Sequence, residues 1–257
     1  LIGTETLTLS GQGSVSSKNV SGSSQAVTLG TLAIGDQSGA SAASGGLASN
    51  YNFTSSTLTI NEKVLNSSSS RIYDATTPAS ASDITLTNEI SGENLVLGGA
   101  AATSSANTAT YSITNLSGIT ISDEVGANSS SGALASNYTL TGGTHSFTIN
   151  PKAVDIVGSR EYDGTTNIVA SDISGITGTV NSETLTMSSG LGTTSSENVG
   201  TYSLTDTSAG SLTLGNGTGL ASNYTLTGGT QTYTIEKRIL NSSGSKTYDA
   251  NTDALAA

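Results

Sequence analysis

The sequence predicts an all-β protein of tandem immunoglobulin-like β-sandwich repeats, each of about 86–90 residues, arranged as a rod. Three observations carry this. Four landmarks recur in fixed order at spacings between 86 and 91 residues. Apolar residues alternate with Ser and Thr at a period of two. Short strand-like segments follow one another roughly every ten residues, with Gly, Ser and Asn between them. No apolar stripe of helical period competes. A β-solenoid is one alternative, but its coils repeat about every 20–30 residues, and no such sub-period occurs. A β-grasp-like repeat is the other.

The first landmark is Tyr-Asp, in "IYDATT" at 72–77, "EYDGTT" at 161–166 and "TYDANT" at 247–252. The second is Glu-x-Leu, in "ETLTLS" at 5–10, "ENLVLG" at 93–98 and "ETLTMS" at 183–188. The third is an Asn ahead of a Tyr strand, in "NTATYSI" at 107–113 and "NVGTYSL" at 198–204, with a weaker "NVSGSSQAV" at 19–27. The fourth is an Ala-Ser-Asn-Tyr block followed by a closing strand: "STLTINEKVL", "SFTINPKAV" or "TYTIEKRIL". These divide the chain into a partial repeat at 1–61, full repeats at 62–150 and 151–236, and the start of a further one at 237–257. Such a pattern is expected of a slice from a longer array. Head-to-tail assembly of identical chains, the end fragment supplying missing opening strands, is the alternative.

Within 151–236 the strand segments are "AVDIV", "REYD", "ETLTM", "TYSLT", "SLTLG", "NYTLT" and "TYTIE". Leu185 and Met187 fall on one face, and Tyr202 with Leu204, Leu212 with Leu214, Tyr224 with Leu226 and Tyr233 with Ile235 do the same. The eleven residues "LASNYTLTGGT" occur at 134–144 and again at 220–230, and "GLASNYNFT" is a shorter form at 46–54. Here Leu220 and Tyr224 are expected to flank a corner. Ser222 and Asn223 are expected to bond turn backbone, and the two glycines to make a hairpin turn that fixes strand register. Pro151, in a three-residue junction between strands, keeps the chain extended there.

Composition narrows the function. Ser (45) and Thr (41) make a third of the 257 residues, with no Cys or Trp, one Met and one His. The net charge of −11, with only 8 basic residues, argues against nucleic acid, which needs clustered Lys and Arg. No apolar run is long enough to insert in a membrane. The absence of Cys excludes a disulfide framework and thiolate metal sites.

"REYDGTT", "ENVGTYS" and "GLASNYTL" resemble the YDG-type repeats, related to MBG repeats, of filamentous-haemagglutinin-like bacterial surface adhesins. The resemblance covers essentially the whole chain, although Ala75 and Ala250 stand where the triplet has Gly164. It implies an extracellular stalk or adhesin region and gives no catalytic residue.

The candidate site residues have plain readings. His145 lies where the next repeat has Gln231, so it reads as an exposed strand residue rather than a catalytic base. "GNGTG" at 215–219 reads as a turn, since neither helix nor Lys follows. Asp74, Asp163 and Asp249 read as turn acceptors rather than calcium ligands, with no complete oxygen cage visible. Tyr111 and Tyr202 read as core. Sequons at Asn52, Asn66, Asn137 and Asn223 are expected by chance in so Ser/Thr-rich a chain. No enzyme, metal or cofactor is therefore expected. The expected function is a structural stalk or fibre, with neighbouring repeats and identical chains as partners. Direct binding of glycan or cell surface is the competing class.

Overall fold

The computed structural model describes residues 1–40, 45–127, 132–205 and 209–253. The strands run in three stretches. The first holds β1 (Thr8–Ser10), β2 (Gln25–Ala26), β3 (Ala33–Gly35) and β4 (Thr57–Leu58). The second holds β5 (Lys63–Val64), β6 (Ser67–Ile72), β7 (Pro78–Ser80), β8 (Val96–Ala102), β9 (Ala109–Ser112), β10 (Ile119–Ser122), β11 (Tyr138–Thr139) and β12 (His145–Asn150). The third holds β13 (Lys152–Ala153), β14 (Asp155–Glu161), β15 (Asn167–Val169), β16 (Ile173–Thr177), β17 (Leu185–Ser189), β18 (Leu191–Thr193), β19 (Gly200–Leu204), β20 (Thr213–Asn216), β21 (Tyr224–Thr225) and β22 (Gln231–Glu236). Single 3-10 turns interrupt the strands, three of them on the Ala-Ser-Asn of the fourth landmark.

Two compact units contain these strands. One is Leu1–Arg71, Thr77–Ser105 and Thr110–Thr148; the other is Ile72–Thr76, Ala106–Ala109 and the chain from Ile149 onward. The second unit thus takes up two short segments of the second stretch, the Tyr-Asp turn and the Asn landmark.

In the second unit the sheet order is β16-β14-β22-β19. β14 runs parallel to β22 over six residue pairs, and β16 and β19 flank them antiparallel. β13 pairs in parallel with β21, and the antiparallel pairs β15–β18 and β17–β20 complete the stretch. Ile156, Ile168, Leu204, Leu212, Tyr233 and Ile235 make the core, with Tyr162, Met187, Tyr202 and Leu226 packed on it. The alternation in "QTYTIE" explains β22: Tyr233 and Ile235 are fully buried while Thr234 meets Thr201 across the strands at 3.2 Å.

In the first unit the same pairings recur. β6-β12-β9 form one sheet, β10-β8-β7 another, and β5 pairs in parallel with β11. Leu65, Ala133 and Tyr138 form its buried cluster. The N-terminal stretch contributes the antiparallel pairs β1–β3 and β2–β4. The all-β class stands. Immunoglobulin-like sheets are antiparallel, whereas here the opening and closing strands of a stretch meet in parallel, joined by a long excursion through the others.

β16 was not among the expected strands. Its apolar residues, Ile173 and Ile176, lie three apart, and its register against β14 shifts between Val157 and Gly158. A bulge of this kind destroys the period of two on which strand reading depends.

The glycines after Leu226 divide two tasks. Gly228 has φ of 81°, and Gly229 donates its N–H to the Leu226 carbonyl at 3.2 Å. A Cβ on Gly229 would stand 2.1 Å from the Val154 carbonyl oxygen, and one on Gly143 would stand 1.9 Å from that of Leu65. The hairpin therefore has to be bare where it crosses the opening strand. Gly229→Ala is expected to lower unfolding free energy by about 3 kcal/mol through overpacking, measured by urea denaturation; an unchanged midpoint would contradict the close approach.

Candidate functional site

The landmark residues, scattered in the sequence, converge in the fold. Glu183 sits at the mouth of β17, its N–H bonded to the Val180 carbonyl at 2.8 Å. Its carboxylate accepts two phenols, Tyr224 at 2.5 Å and Tyr73 at 2.9 Å. The Tyr224 hydroxyl in turn accepts the Val180 N–H at 3.0 Å. The two rings pack edge to face with centroids 5.4 Å apart. Tyr73 belongs to the Tyr-Asp landmark of the preceding stretch, yet it is buried in this unit.

Beside this cluster Asn223 is 1% exposed. Its Oδ1 accepts the Thr108 N–H at 2.9 Å, and its Nδ2 donates to Asn107 Oδ1 at 2.9 Å. The Thr108 hydroxyl donates to the Ser222 carbonyl at 2.8 Å. Asn107 is the third landmark, so the fourth landmark of one stretch grips the third of the stretch before it. The first unit repeats the arrangement. Asn137 Oδ1 accepts the Val20 N–H at 2.8 Å, and its Nδ2 reaches Asn19 Oδ1 at 2.9 Å. The hydroxyls of Tyr51 and Tyr138 donate to Glu5 and Glu93.

Asn223 was expected to bond its own turn, and it does not. That turn is closed by backbone bonds, and its leading N–H is capped from elsewhere. Asn216 Oδ1 takes the Ala221 N–H at 2.7 Å, as Asp36 takes that of Ala48 and Asp123 that of Ala135. The "GNGTG" segment is accordingly a turn whose asparagine is a cap. Leu220, expected to pack at the corner, is 43% exposed.

His145 is not exposed either. It is 5% exposed, with Nε2 donating to the Leu140 carbonyl at 2.9 Å and Nδ1 accepting the Ser67 hydroxyl at 3.0 Å. These partners require the neutral Nε2–H tautomer. Gln231 takes the equivalent place, its Nε2 bonded to the Leu226 carbonyl at 2.8 Å and its Oε1 to the Ile156 N–H at 3.0 Å. Both ends of each side chain are occupied in tying the hairpin to the opening strand. The signal was present in the sequence: position 145 shares strand parity with Phe147 and Ile149, both buried.

The Tyr-Asp aspartates lie in Asx turns. Asp74 and Asp163 each accept the N–H and hydroxyl of the Thr two residues on, and Asp249 accepts the Asn251 N–H. Burial works to raise the Asp163 carboxyl, but Thr165 and Arg160 outweigh it and hold it below the usual range. The residue after each Asp is left-handed, with φ of 62° at Ala75, 77° at Gly164 and 58° at Ala250. The glycine of the triplet therefore has a conformational reason, and Ala fills the position under strain. Among the described residues no three His, Asp or Glu side chains converge to hold a metal.

Tyr111 and Tyr202 are half-buried, and the Tyr202 hydroxyl returns to the Asn198 carbonyl at 2.6 Å. Of the sequon asparagines, Asn66, Asn137 and Asn223 are committed to side-chain hydrogen bonds, and Asn52 is exposed. Sequence reasoning missed the glutamates altogether as partners, because nothing in "ETLTM" says that a tyrosine 41 residues away will meet it.

An open cleft of about 890 Å³ lies beside the second-stretch hairpin, lined by Ile113, Leu116, Ile121, Leu140, Gly143 and Thr144 among others. A smaller one of about 420 Å³ recurs beside Leu212, Leu214 and Leu226.

Residues 144–234 match the sequence model of the YDG domain, so this segment, from the start of β12 into β22, contains a YDG domain. No curated protein and no solved structure matches the chain.

Two outcomes test the cluster. Burial first, then the facing glutamate, pushes the phenols of Tyr138 and Tyr224 up to about 12, and Tyr73 is raised for the same reasons. The fold binds the neutral phenol, whose ordinary pKa is about 10. The stability this contributes is complete below about pH 10 and disappears as pH rises through about 12. Alkaline titration should show loss of circular dichroism together with phenolate absorbance in that window; a fold intact above it would contradict the burial. Separately, Asn223→Ala should cost about 2–3 kcal/mol, since it orphans a buried N–H and a side-chain amide. Asn50→Ala, at the same position of the first block but exposed, should stay within about 0.5 kcal/mol. Urea midpoints compare the two.

Proposed function

We propose that this chain is a structural stalk or fibre segment of a large bacterial cell-surface or secreted adhesin, its repeats of about 86–90 residues holding an adhesive tip at a distance. The observation that carries this reading is the use made of the landmarks. The most buried polar groups, Asn223 and the Tyr73–Glu183–Tyr224 cluster, fasten one stretch of chain to the segments before it. Groups so engaged are not presented to a ligand. A stalk needs such fastening, because a pivot at each boundary would let the tip fold back. The finer fold proposed for each repeat is β-grasp-like rather than immunoglobulin-like, on the parallel pairing of β14 with β22. No helix among the described residues is long and apolar enough to cross a membrane. Extracellular location rests on the resemblance to surface repeats.

Direct glycan binding is the second reading, favoured by the recurrence of the open cleft at matching places in two stretches. Electron microscopy of a long array separates the two. Straight, evenly stiff rods, with no ligand on a glycan array, are expected for a stalk; bead-like bending at each boundary, or saturable glycan binding lost on altering Leu116, would overturn it.

A further inference from the structure

We propose that the chain associates head to tail with a second copy, residues 237–253 of one molecule supplying the opening strand that residues 1–61 of the other lack. This goes beyond the stalk reading and does not depend on it, since it concerns a complementarity between two parts of this sequence.

The receiving surface lies in the first stretch. In the second and third stretches the closing strand, β12 or β22, lies beside an opening strand, β6 or β14. Residues 1–61 contain a closing strand, β4, paired on one side with β2, and no opening strand. The consequence is measurable. Phe147 and Tyr233 are fully buried, whereas Leu58 at the same position of β4 is 50% exposed. Leu9, which matches half-buried Leu97 and Met187, is 59% exposed. Between them lies an apolar groove of about 320 Å³ lined by Leu9, Val15, Val27, Leu32 and Leu58.

The occupant is identified by sequence. "LNSSGSKTYDANT" at 240–252 matches "LNSSSSRIYDATT" at 65–77 residue for residue at most positions, and the latter contains β6. In its own molecule residues 237–253 form no strand. Ile239, Leu240 and Tyr248 are 75%, 89% and 90% exposed, against 0% for Leu65 and 5% for Tyr73. Leu65 N–H bonds to the Thr139 carbonyl at 2.8 Å and Val154 N–H to that of Thr225 at 2.9 Å, so Leu240 N–H has the Asn52 carbonyl of the second copy as its counterpart. Strand addition of this kind draws its affinity from backbone bonds and its register from alternate side chains.

A second set of groups completes the fit. Tyr162 and Asn198 hold the positions that Tyr73 and Asn107 hold one stretch earlier, and Glu5 and exposed Asn50 hold those of Glu183 and Asn223. In the associated pair Tyr162 donates to Glu5 of the second copy, whose Asn50 grips Asn198 and the Val199 N–H.

Sedimentation velocity on the full chain, from low to high micromolar concentration, tests this. Mass is expected to rise with concentration through dimers to longer species. Leu240→Asp, at an exposed site, should leave the melting temperature unchanged and weaken association roughly tenfold or more by spoiling the apolar side of the added strand. Leu58→Asp should do the same from the receiving side, and each variant should still cap the other's intact end, so their mixture should stop at a heterodimer. Monomer at every concentration, or association that Leu240→Asp leaves intact, would overturn the proposal. Neither result bears on rod stiffness or glycan binding, on which the stalk reading stands or falls.

Discussion

Each of the three stretches depends on one tyrosine hydroxyl bonded to one glutamate. The interaction suits a chain with so little apolar material. A tyrosine brings a large ring to a thin core and carries a hydroxyl that must then be satisfied; a half-buried carboxylate has lone pairs that must be satisfied too. Pairing them removes both costs at once and leaves the carboxylate a second oxygen. In the second unit that oxygen takes Tyr73 from the preceding stretch. The bond that closes a stretch upon itself thereby becomes the seat for its neighbour. Edge-to-face packing of Tyr73 on Tyr224 makes the same surface apolar enough to exclude water from the hydrogen bonds.

The asparagine clamp supplies direction. A buried amide has one acceptor face and one donor face, and Asn223 spends both on two consecutive residues, Asn107 and Thr108. The partner therefore cannot slide by one residue, because the backbone N–H and the amide oxygen would no longer fall opposite the right atoms. Tyr73 alone would tolerate rotation about the glutamate. Together they fix two segments that are far apart in sequence against one short block, which explains why compactness divides the chain at Ile72 and Ala106 rather than at the end of β12.

Much of the strand pattern was legible because Thr and Ser alternate so regularly with Tyr, Leu and Ile, and because the glycine pair announces its turn. The strand the pattern missed is the one bent by a bulge. The burial of His145 was legible too, from its parity with Phe147 and Ile149, but the chemistry of the side chain obscured it. What could not be read was pairing at a distance. Glu183 meets Tyr224 because β17 and β21 end near one another, and that nearness is a property of the parallel closure between opening and closing strands, which no local pattern encodes.

The same closure accounts for the identical eleven residues at 134–144 and 220–230. Tyr224 reaches the glutamate, Asn223 the preceding stretch, and Leu226 offers its carbonyl to Gln231. Thr227 takes its N–H to the Thr225 hydroxyl, Gly228 adopts positive φ, and Gly229 passes under the opening strand. Thr230 gives its N–H to Asp155 at 2.5 Å. From Asn223 to Thr230 nearly every residue has its own bond, conformation or close approach to supply, and those partners lie in different parts of the chain. Elsewhere a strand needs only to keep its alternation, so Leu, Ile, Val and Met exchange freely, and outward positions exchange Ser for Thr. Identity is confined to the block because there the constraints are atomic, while the rest of the sheet is constrained only in pattern.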